Sequence, residues 1–165
     1  RGEPINMDVA NFLRPESVHC KPDARSKKHA LELLSEALAE TSEAYSAEEI
    51  LDGLIHRERL DCTRLGRSVA MPHTRISGLK KSVGTFLRLD ETVDFDSIDD
   101  EPVDLIFGLL VPDDCDDDQI REVRELIEKL GDSVLQQQLR DADAPAQLYN
   151  LLTESLTIIH KTLRA

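Results

Sequence analysis

A chain of 165 residues, with 40% hydrophobic and 32% charged residues, is expected to form one globular domain around an aliphatic core. Its formal net charge of −13 argues against a nucleic-acid partner, because phosphate binding needs a basic surface. No apolar run reaches the roughly 18–20 residues of a membrane-spanning helix, so membrane insertion is not expected. Cys20, Cys62 and Cys115 show no CxxC spacing, which argues against structural zinc and disulfides and favours a cytoplasmic location.

The predicted elements begin after a polar segment. Residues 1–6 are expected to be a lead-in or a cloning remnant outside the fold, and residues 7–165 to form the single domain. Apolar residues at helical spacing predict a first helix over about 26–40. Ser46 and Glu49 then form the pattern of a capping box, which predicts the start of a second helix.

Three apolar stretches in the middle of the chain predict strands. Residues 68–71 are expected to form a short strand that ends at Pro72. Residues 82–89 alternate in polarity, which is typical of a strand that is half exposed or covered by a helix. Residues 103–111 are almost continuously apolar and lie between two prolines, so we expect a central strand that is covered on both faces.

Helices are predicted to close the chain, from the acidic run at 113–118 to about residue 130, over 133–140, and from 146. Helices on both sides of a group of strands predict an α/β fold, with a mixed β-sheet flanked by helices on both faces. The acidic run, DDCDDD, lacks the spacing of a calcium loop, so no metal site is expected. Acidic residues at a helix N-terminus are favourable by roughly 0.3–1 kcal/mol each without any metal.

His73 is the candidate functional residue. It follows Pro72 in SVAMPHTR, where the strand is expected to end and the side chain to lie at the mouth of a loop. A neutral imidazole is a good nucleophile near pH 7. The alternative is an ordinary surface histidine, and the other four histidines are expected to be incidental: His19, His29, His56 and His160.

Positive charge is concentrated around this histidine. Between residues 57 and 81 only Glu58 and Asp61 are acidic, whereas residues 90–118 contain no Lys or Arg. A phosphoryl group on His73 would add close to two negative charges, which the basic stretch could offset. That stretch contains seven basic residues: Arg57, Arg59, Arg64, Arg67, Arg75, Lys80 and Lys81.

Six segments resemble the enzyme IIA domain of the bacterial phosphotransferase system, specifically the nitrogen-regulatory branch of the mannitol/fructose superfamily. The likeness spans about residues 7–152, in the expected order and spacing. The segments are SKKHALELLSEAL at 26–38, RERL at 57–60, CTRLG at 62–66, SVAMPH at 68–73, FDSIDDEPVDLIFGLLVP at 95–112 and QLYNLL at 147–152.

The resemblance implies an α/β sandwich and a phosphotransferase that needs no cofactor. It implies that His73 receives a phosphoryl group, through Nε2, from a small phosphocarrier of the HPr type. Arg57 matches the arginine that supports this group, and Thr63 is a weaker match as a loop contact. Gln119 stands where the family often has a second histidine. In this branch, phosphorylation regulates partners such as potassium-transport or sensor proteins.

Two alternatives remain open from the sequence. The chain would act in sugar transport if it passed the phosphoryl group to a IIB domain, or it would be a binding module that keeps the fold without being phosphorylated. An apolar rim around Met71 and Leu79 is expected to dock the carrier.

Several residues depart from the family pattern. Thr74 replaces a usual glycine, and Arg64, Arg67 and Ser68 stand where small residues or Asn are usual. Together with Gln119, they are expected to influence carrier docking or the lifetime of the phosphohistidine.

Overall fold

The computed structural model describes most of the chain between residues 9 and 156. The described ranges are 9–20, 23–42, 44–60, 64–66 (backbone only), 68–95, 102–114 and 116–156. The α-helices within them are α1 (Lys27–Ser42), α2 (Ala47–Leu60), α3 (Asp117–Leu130), α4 (Ser133–Asp141) and α5 (Pro145–Leu156). Short 3₁₀ helices cover Val9–Asn11 and Pro15–Ser17.

The strands form one mixed sheet in the order β1-β5-β6-β3-β2. They are β1 (Val18–Cys20), β2 (Arg64–Gly66), β3 (Val69–Ala70), β4 (His73–Ile76), β5 (Val83–Val93) and β6 (Val103–Pro112). β5 and β6 pair antiparallel, and β1 runs parallel to β5. β3 and β4 both run parallel to β6 and pair with successive parts of it, so together they occupy one position in the sheet.

The two faces of β6 belong to separate hydrophobic clusters. Leu105, Phe107 and Leu109 pack in the cluster that includes residues of α3, α4 and α5. Ile106 and Leu110 pack in the cluster that includes residues of α1 and α2. This period-two alternation places helices on both faces of a mixed sheet, which confirms the predicted fold class.

The boundary predictions are close for the helices. The predicted second helix begins as expected, because the backbone N–H of Glu49 donates to Ser46 Oγ at 3.1 Å and that of Ser46 donates to Glu49 Oε1 at 2.9 Å. The central strand at 103–111 is also confirmed. Residues 1–6, Cys62 and Cys115 lie outside the described residues.

The strand predictions were wrong in four places. β2 was expected to be part of a connecting loop. β1 was missed, because three residues that include His19 carry no usable alternation. β5 is longer than predicted. Of the two alternatives for its burial the helix-covered one is right, because the strand is buried on both faces from Gly84 to Leu89, between helical layers. Pro72 was expected to end the extended segment, but the chain pairs with β6 again from His73.

Candidate functional site

The turn at Pro72 interrupts the strand without ending it. Proline has no N–H to give to the sheet, but the Pro72 carbonyl accepts a hydrogen bond from the Leu109 backbone N–H at 3.1 Å. Pairing with β6 then resumes at His73, which is opposite Leu109. His73 is therefore the first residue of a strand and has a fixed backbone, instead of lying in a loop as the sequence predicted.

The ring of His73 is held by its own strand. Its Nδ1 lies 2.9 Å from the backbone oxygen of Met71. A carbonyl oxygen only accepts hydrogen bonds, so Nδ1 must carry the proton and donate. In the neutral ring this leaves Nε2 with the lone pair, and Nε2 is the nitrogen able to act as a nucleophile.

Burial and charge both act on the pKa of this imidazole. Burial lowers the pKa of His73 below its usual value of 6.5, because the charged ring is poorly solvated. The hydrogen bond to Met71 raises it, the guanidinium of Arg57 lowers it, and the carboxylate of Glu58 raises it. The net effect lowers the pKa, so His73 is neutral at pH 7.

His73 lines a cavity of about 440 Å³ that lies between the end of α2, the strands β4 and β6, and the first half of α3. The lining residues are His56, Arg57, Leu60, His73, Thr74, Arg75, Val111, Gln119, Ile120, Val123 and Arg124. The cavity thus combines a neutral imidazole with three arginines and several apolar side chains. Its charge is the opposite of the chain's net charge and suits an anionic group.

Arg57 enters this cavity from the last turn of α2. Its position there is favourable, because a cation near a helix C-terminus interacts well with the helix dipole. The next residue, Glu58, has a side chain that is only 5% exposed and pairs with Lys27 Nζ of α1 at 2.8 Å. This ion pair fixes the last turn of α2 against α1.

Gln119 enters the cavity from the first turn of α3. Its Oε1 accepts the backbone N–H of Asp116 at 2.8 Å, and its own backbone N–H donates to Asp116 Oδ1 at 2.9 Å. This capping box orients the side chain, and the amide NH₂ is the part of Gln119 left to act as a donor towards a ligand. Asp116 thus acts as a helix cap, in agreement with the prediction that the acidic run begins a helix.

The structure brings His73, Arg57 and Gln119 to one cavity. Thr63 lies outside the described residues, as does Arg67, and only the backbone of Arg64 is described. Ser68 has φ 68°, in the left-handed region that Gly and Asn adopt more easily. This explains why small residues or Asn would suit that position.

The predicted docking rim was wrong at Met71, whose side chain is fully buried in the core, where the strand is covered by helices. Leu60 is the exposed apolar side chain at the cavity instead, with 70% of its surface accessible. His56, which the sequence suggested was incidental, lines the cavity as well. No local signal marked His56, because adjacent residues of a helix do not face the same way, and the contribution of Arg124 requires the packing of α3.

Comparison with known proteins decides the family. The model of the family described as "Phosphoenolpyruvate-dependent sugar phosphotransferase system, EIIA 2" matches residues 11–155. The chain belongs to this family. Members of the EIIA 2 family are phosphotransfer proteins of the phosphotransferase system, so the family predicted from the sequence is confirmed.

The EIIA 2 relatives include nitrogen regulatory proteins. The one from Klebsiella oxytoca is 32% identical over 150 residues, which cover 90% of this chain and 92% of the relative. The one from Pseudomonas aeruginosa is 34% identical over 129 residues, covering 78% and 84%. The predicted likeness to the nitrogen-regulatory branch is therefore confirmed.

Solved structures agree with the EIIA 2 fold. The nitrogen regulatory protein IIA-Ntr from Neisseria meningitidis has a TM-score of 0.82 and 30% identity, and the match covers 88% of this chain and 99% of that one. Mannitol IIA from Escherichia coli has a TM-score of 0.67 at 24% identity over 83% and 96% of the two chains, which shows the shared fold. Within the described residues, no helix is long and apolar enough to cross a membrane.

Proposed function

We propose that this chain is a regulatory IIA protein that accepts a phosphoryl group on His73 from an HPr-type phosphocarrier. The observation that carries this proposal is the hydrogen bond from His73 Nδ1 to the Met71 carbonyl, inside a cavity that also contains Arg57. This hydrogen bond selects Nε2 as the nucleophile. Membership of the EIIA 2 family supports the same chemistry.

The transfer step conserves atoms and charge. The lone pair of Nε2 attacks phosphorus in line with the phosphorus–nitrogen bond of the carrier's phosphohistidine. As the new Nε2–P bond forms, the carrier's imidazole, whose other ring nitrogen carries a proton, leaves as a neutral ring with the electron pair of the broken bond. The proton on Nδ1 of His73 stays hydrogen-bonded to Met71, so no external base is required.

The cavity supplies electrostatic stabilisation for the transferred group. Arg57 is the first cation proposed to balance its negative charge, and the NH₂ of Gln119 is proposed to donate a hydrogen bond to one of its oxygens. Thr63 keeps its proposed role as a loop contact. Leu60, exposed at the cavity, offers an apolar contact to the docked carrier.

The nitrogen regulatory proteins among the relatives support a regulatory role for this chain. The nitrogen regulatory proteins at 32–34% identity favour a chain whose phosphorylation state is read by other cytoplasmic proteins, such as potassium-transport or sensor proteins. A relay to a IIB domain is the second candidate. It is favoured by a fructose-specific EIIA component from Haloferax volcanii at 25% identity and by a mannitol IIA neighbour solved in complex with phosphorylated IIB.

Incubation with an HPr-type carrier, enzyme I and phosphoenolpyruvate tests the proposal. Intact-mass spectrometry is expected to show the addition of one phosphoryl group that is lost in acid, as expected for phosphohistidine. His73→Ala should remain unlabelled. His56→Ala is the matched control, because it removes the second histidine of the same cavity, and it should still be labelled.

An unlabelled wild-type protein would leave the binding-module alternative, and label retained in His73→Ala would overturn the site. Addition of a IIB domain and its sugar to the phosphorylated protein separates the remaining candidates. A terminal regulator keeps its label over this incubation, whereas a relay protein loses it as sugar phosphate forms.

A further inference from the structure

Gly53 lies in the middle of α2, where a glycine needs an explanation. Glycine is the least favourable residue in a helix interior after proline. A Cβ atom added to Gly53 would lie 3.1 Å from Thr74 Oγ1 and 3.2 Å from Thr74 Cγ2. Both distances are shorter than an ordinary van der Waals contact, so Gly53 is the residue that lets α2 approach Thr74 this closely.

Thr74 is itself unusual, since the family resemblance places a glycine immediately after the histidine. Thr74 pairs with Leu110 and His73 pairs with Leu109, so the two side chains leave β4 on opposite faces. The face of Thr74 is the one covered by α2. Thr74 therefore adds a side chain on β4 at the point where Gly53 leaves room for it on α2.

The contact between Gly53 and Thr74 bears on the candidate site through the helix. Arg57 follows Gly53 by four residues and lies on the same side of α2, one turn later. Because α2 packs on β4, we expect the distance between α2 and β4 at Gly53 to influence how far Arg57 reaches into the cavity that contains His73. We expect a displacement of a few tenths of an ångström at Gly53 to shift Arg57 as well, because the two residues are one turn apart in the same helix.

We propose that Gly53 and Thr74 form a size-matched pair that holds α2 close to β4 and thereby positions Arg57 for phosphoryl transfer to His73. Gly53 and Thr74 are positioning residues, and the inference rests on the proposed function for its catalytic consequence. Its structural consequence can be measured on the unphosphorylated protein.

The pKa of His73 reports the position of α2. In the part of the chain that the structure describes, the charged and titratable groups around the ring are His56, Arg57 and Glu58 on α2, Arg75 on β4 and Arg124 on α3. Burial is the largest cause of the lowered pKa of His73, and Arg57 lowers it further, against the smaller opposing effect of Glu58. If α2 moves away, the influence of Arg57 decreases, and because it is larger than the opposing influence of Glu58, the pKa of His73 rises.

The experiment is an NMR titration of the His73 ring in a double-mutant cycle. Gly53→Ala is expected to raise the pKa of His73 and to slow phosphorylation by about three- to tenfold, since small misplacements of a positioned group are costly. Gly53→Ala/Thr74→Ala is expected to restore both values. In that double variant the nearest remaining atom of residue 74 is Cβ at 3.5 Å, an ordinary contact.

Gly131→Ala is the matched control. It adds the same methyl group 3.3 Å from the Glu128 backbone oxygen, at the end of α3, and should leave the pKa of His73 unchanged. The inference is overturned if Gly53→Ala leaves that pKa at the wild-type value, if the double variant does not restore it, or if Gly131→Ala shifts it equally.

A second variant approaches the same contact from the strand. Thr74→Ile enlarges the side chain that faces Gly53. It is expected to raise the pKa of His73, as Gly53→Ala does. This variant tests the inference if Gly53→Ala does not fold. An unchanged pKa in Thr74→Ile overturns the inference. A wild-type protein that fails to accept phosphate would refute the proposed function and leave the titration result standing.

Discussion

At His73, four influences act on one imidazole, and their order decides its chemistry. Burial and Arg57 disfavour the charged ring, whereas the Met71 carbonyl and the Glu58 carboxylate favour it. Burial is the largest, so the pKa lies below 6.5. A nucleophilic histidine benefits from this, because its lone pair is then available throughout the neutral range.

The first prediction concerns the pH dependence of His73. The rate of its phosphorylation should rise with pH and reach a plateau. The midpoint of this rise should lie below pH 6.5, because only the neutral ring attacks and the pKa of the ring is lowered. The free energy of unfolding should also fall as the pH drops through 6.5, since the unfolded ring takes up its proton at a higher pH than the folded one. His73→Gln should remove this contribution in urea unfolding at several pH values. A midpoint above 6.5 for the wild-type rate would contradict the prediction.

The second prediction concerns Arg57. Arg57→Gln should slow phosphoryl transfer by about 10- to 100-fold, since a hydrogen bond to a charged group contributes about 1.5–3 kcal/mol. The same change should raise the pKa of His73, because it removes a cation that lowers it. Arg57→Lys keeps the charge but lacks the planar guanidinium, so its rate of phosphoryl transfer should lie between those of the wild type and Arg57→Gln. Quench-flow measurement of a single turnover gives the rates, and equal rates for Arg57→Gln and wild type would refute the role.

At the scale of the elements, α1 lies close to β6 at Gly108. A Cβ atom at Gly108 would lie 2.6 Å from Cγ and Cδ2 of Leu34, a fully buried residue of α1. Glycine is required here by the proximity of the helix, since no positive φ is involved. The packing of α1 against the sheet therefore depends on a missing side chain.

The third prediction follows from this contact. Gly108→Ala should reduce the free energy of unfolding by about 1–3 kcal/mol, the usual cost of overpacking a core. Leu34→Ala alone should reduce the free energy of unfolding by about 2–5 kcal/mol. In that background Gly108→Ala should cost much less, because the leucine atoms that its methyl group would meet are gone. Urea unfolding of the four proteins in this cycle measures the coupling. Additive effects of the two substitutions would contradict the steric explanation.

The elements that the sequence predicts correctly are those with strong local signals. Helical spacing, the capping box at Ser46 and the acidic run before α3 identify helices, and a continuous apolar run identifies β6. β1 is too short to show alternation, and the resumption of pairing at His73 depends on Leu109, a distant residue. In the site, His73 and its basic surroundings were visible locally. The matching of Gly53 to Thr74 was not, because it exists only when α2 lies on β4.

At the scale of the whole molecule, the sheet separates two hydrophobic clusters, and each helical layer must be held to it. The layer of α1 and α2 includes the ion pair between Lys27 and Glu58, and Lys27 also lies 5.3 Å from the centroid of the Phe95 ring. On the opposite face, α4 is held by Arg140, whose Nε donates to Asp104 of β6 at 3.0 Å. Both layers thus use charged groups at the edges of apolar packing.

Arg88 of β5 is the deepest of these connections and gives the last prediction. It is only 6% exposed, and its Nη1 donates to the carbonyl oxygens of Leu139 at 3.2 Å, Arg140 at 3.1 Å and Ala142, at the end of α4. Arg88→Met should lower the free energy of unfolding by about 2–4 kcal/mol, because buried carbonyls at a helix end lose their donor.

Arg140→Met is the matched control for Arg88→Met. It removes a more exposed cation from the same end of α4 and should cost less, because its partner Asp104 is 18% exposed and can still be hydrated. Urea unfolding followed by circular dichroism measures both variants, since the chain has no Trp to report by fluorescence. If Arg88→Met is no less stable than Arg140→Met, then the buried hydrogen bonds of Arg88 contribute no more than the ion pair between Arg140 and Asp104. A larger loss for Arg88→Met means that the buried hydrogen bonds of Arg88 secure the end of α4 on the sheet, in the layer where α3 and α4 share one hydrophobic cluster.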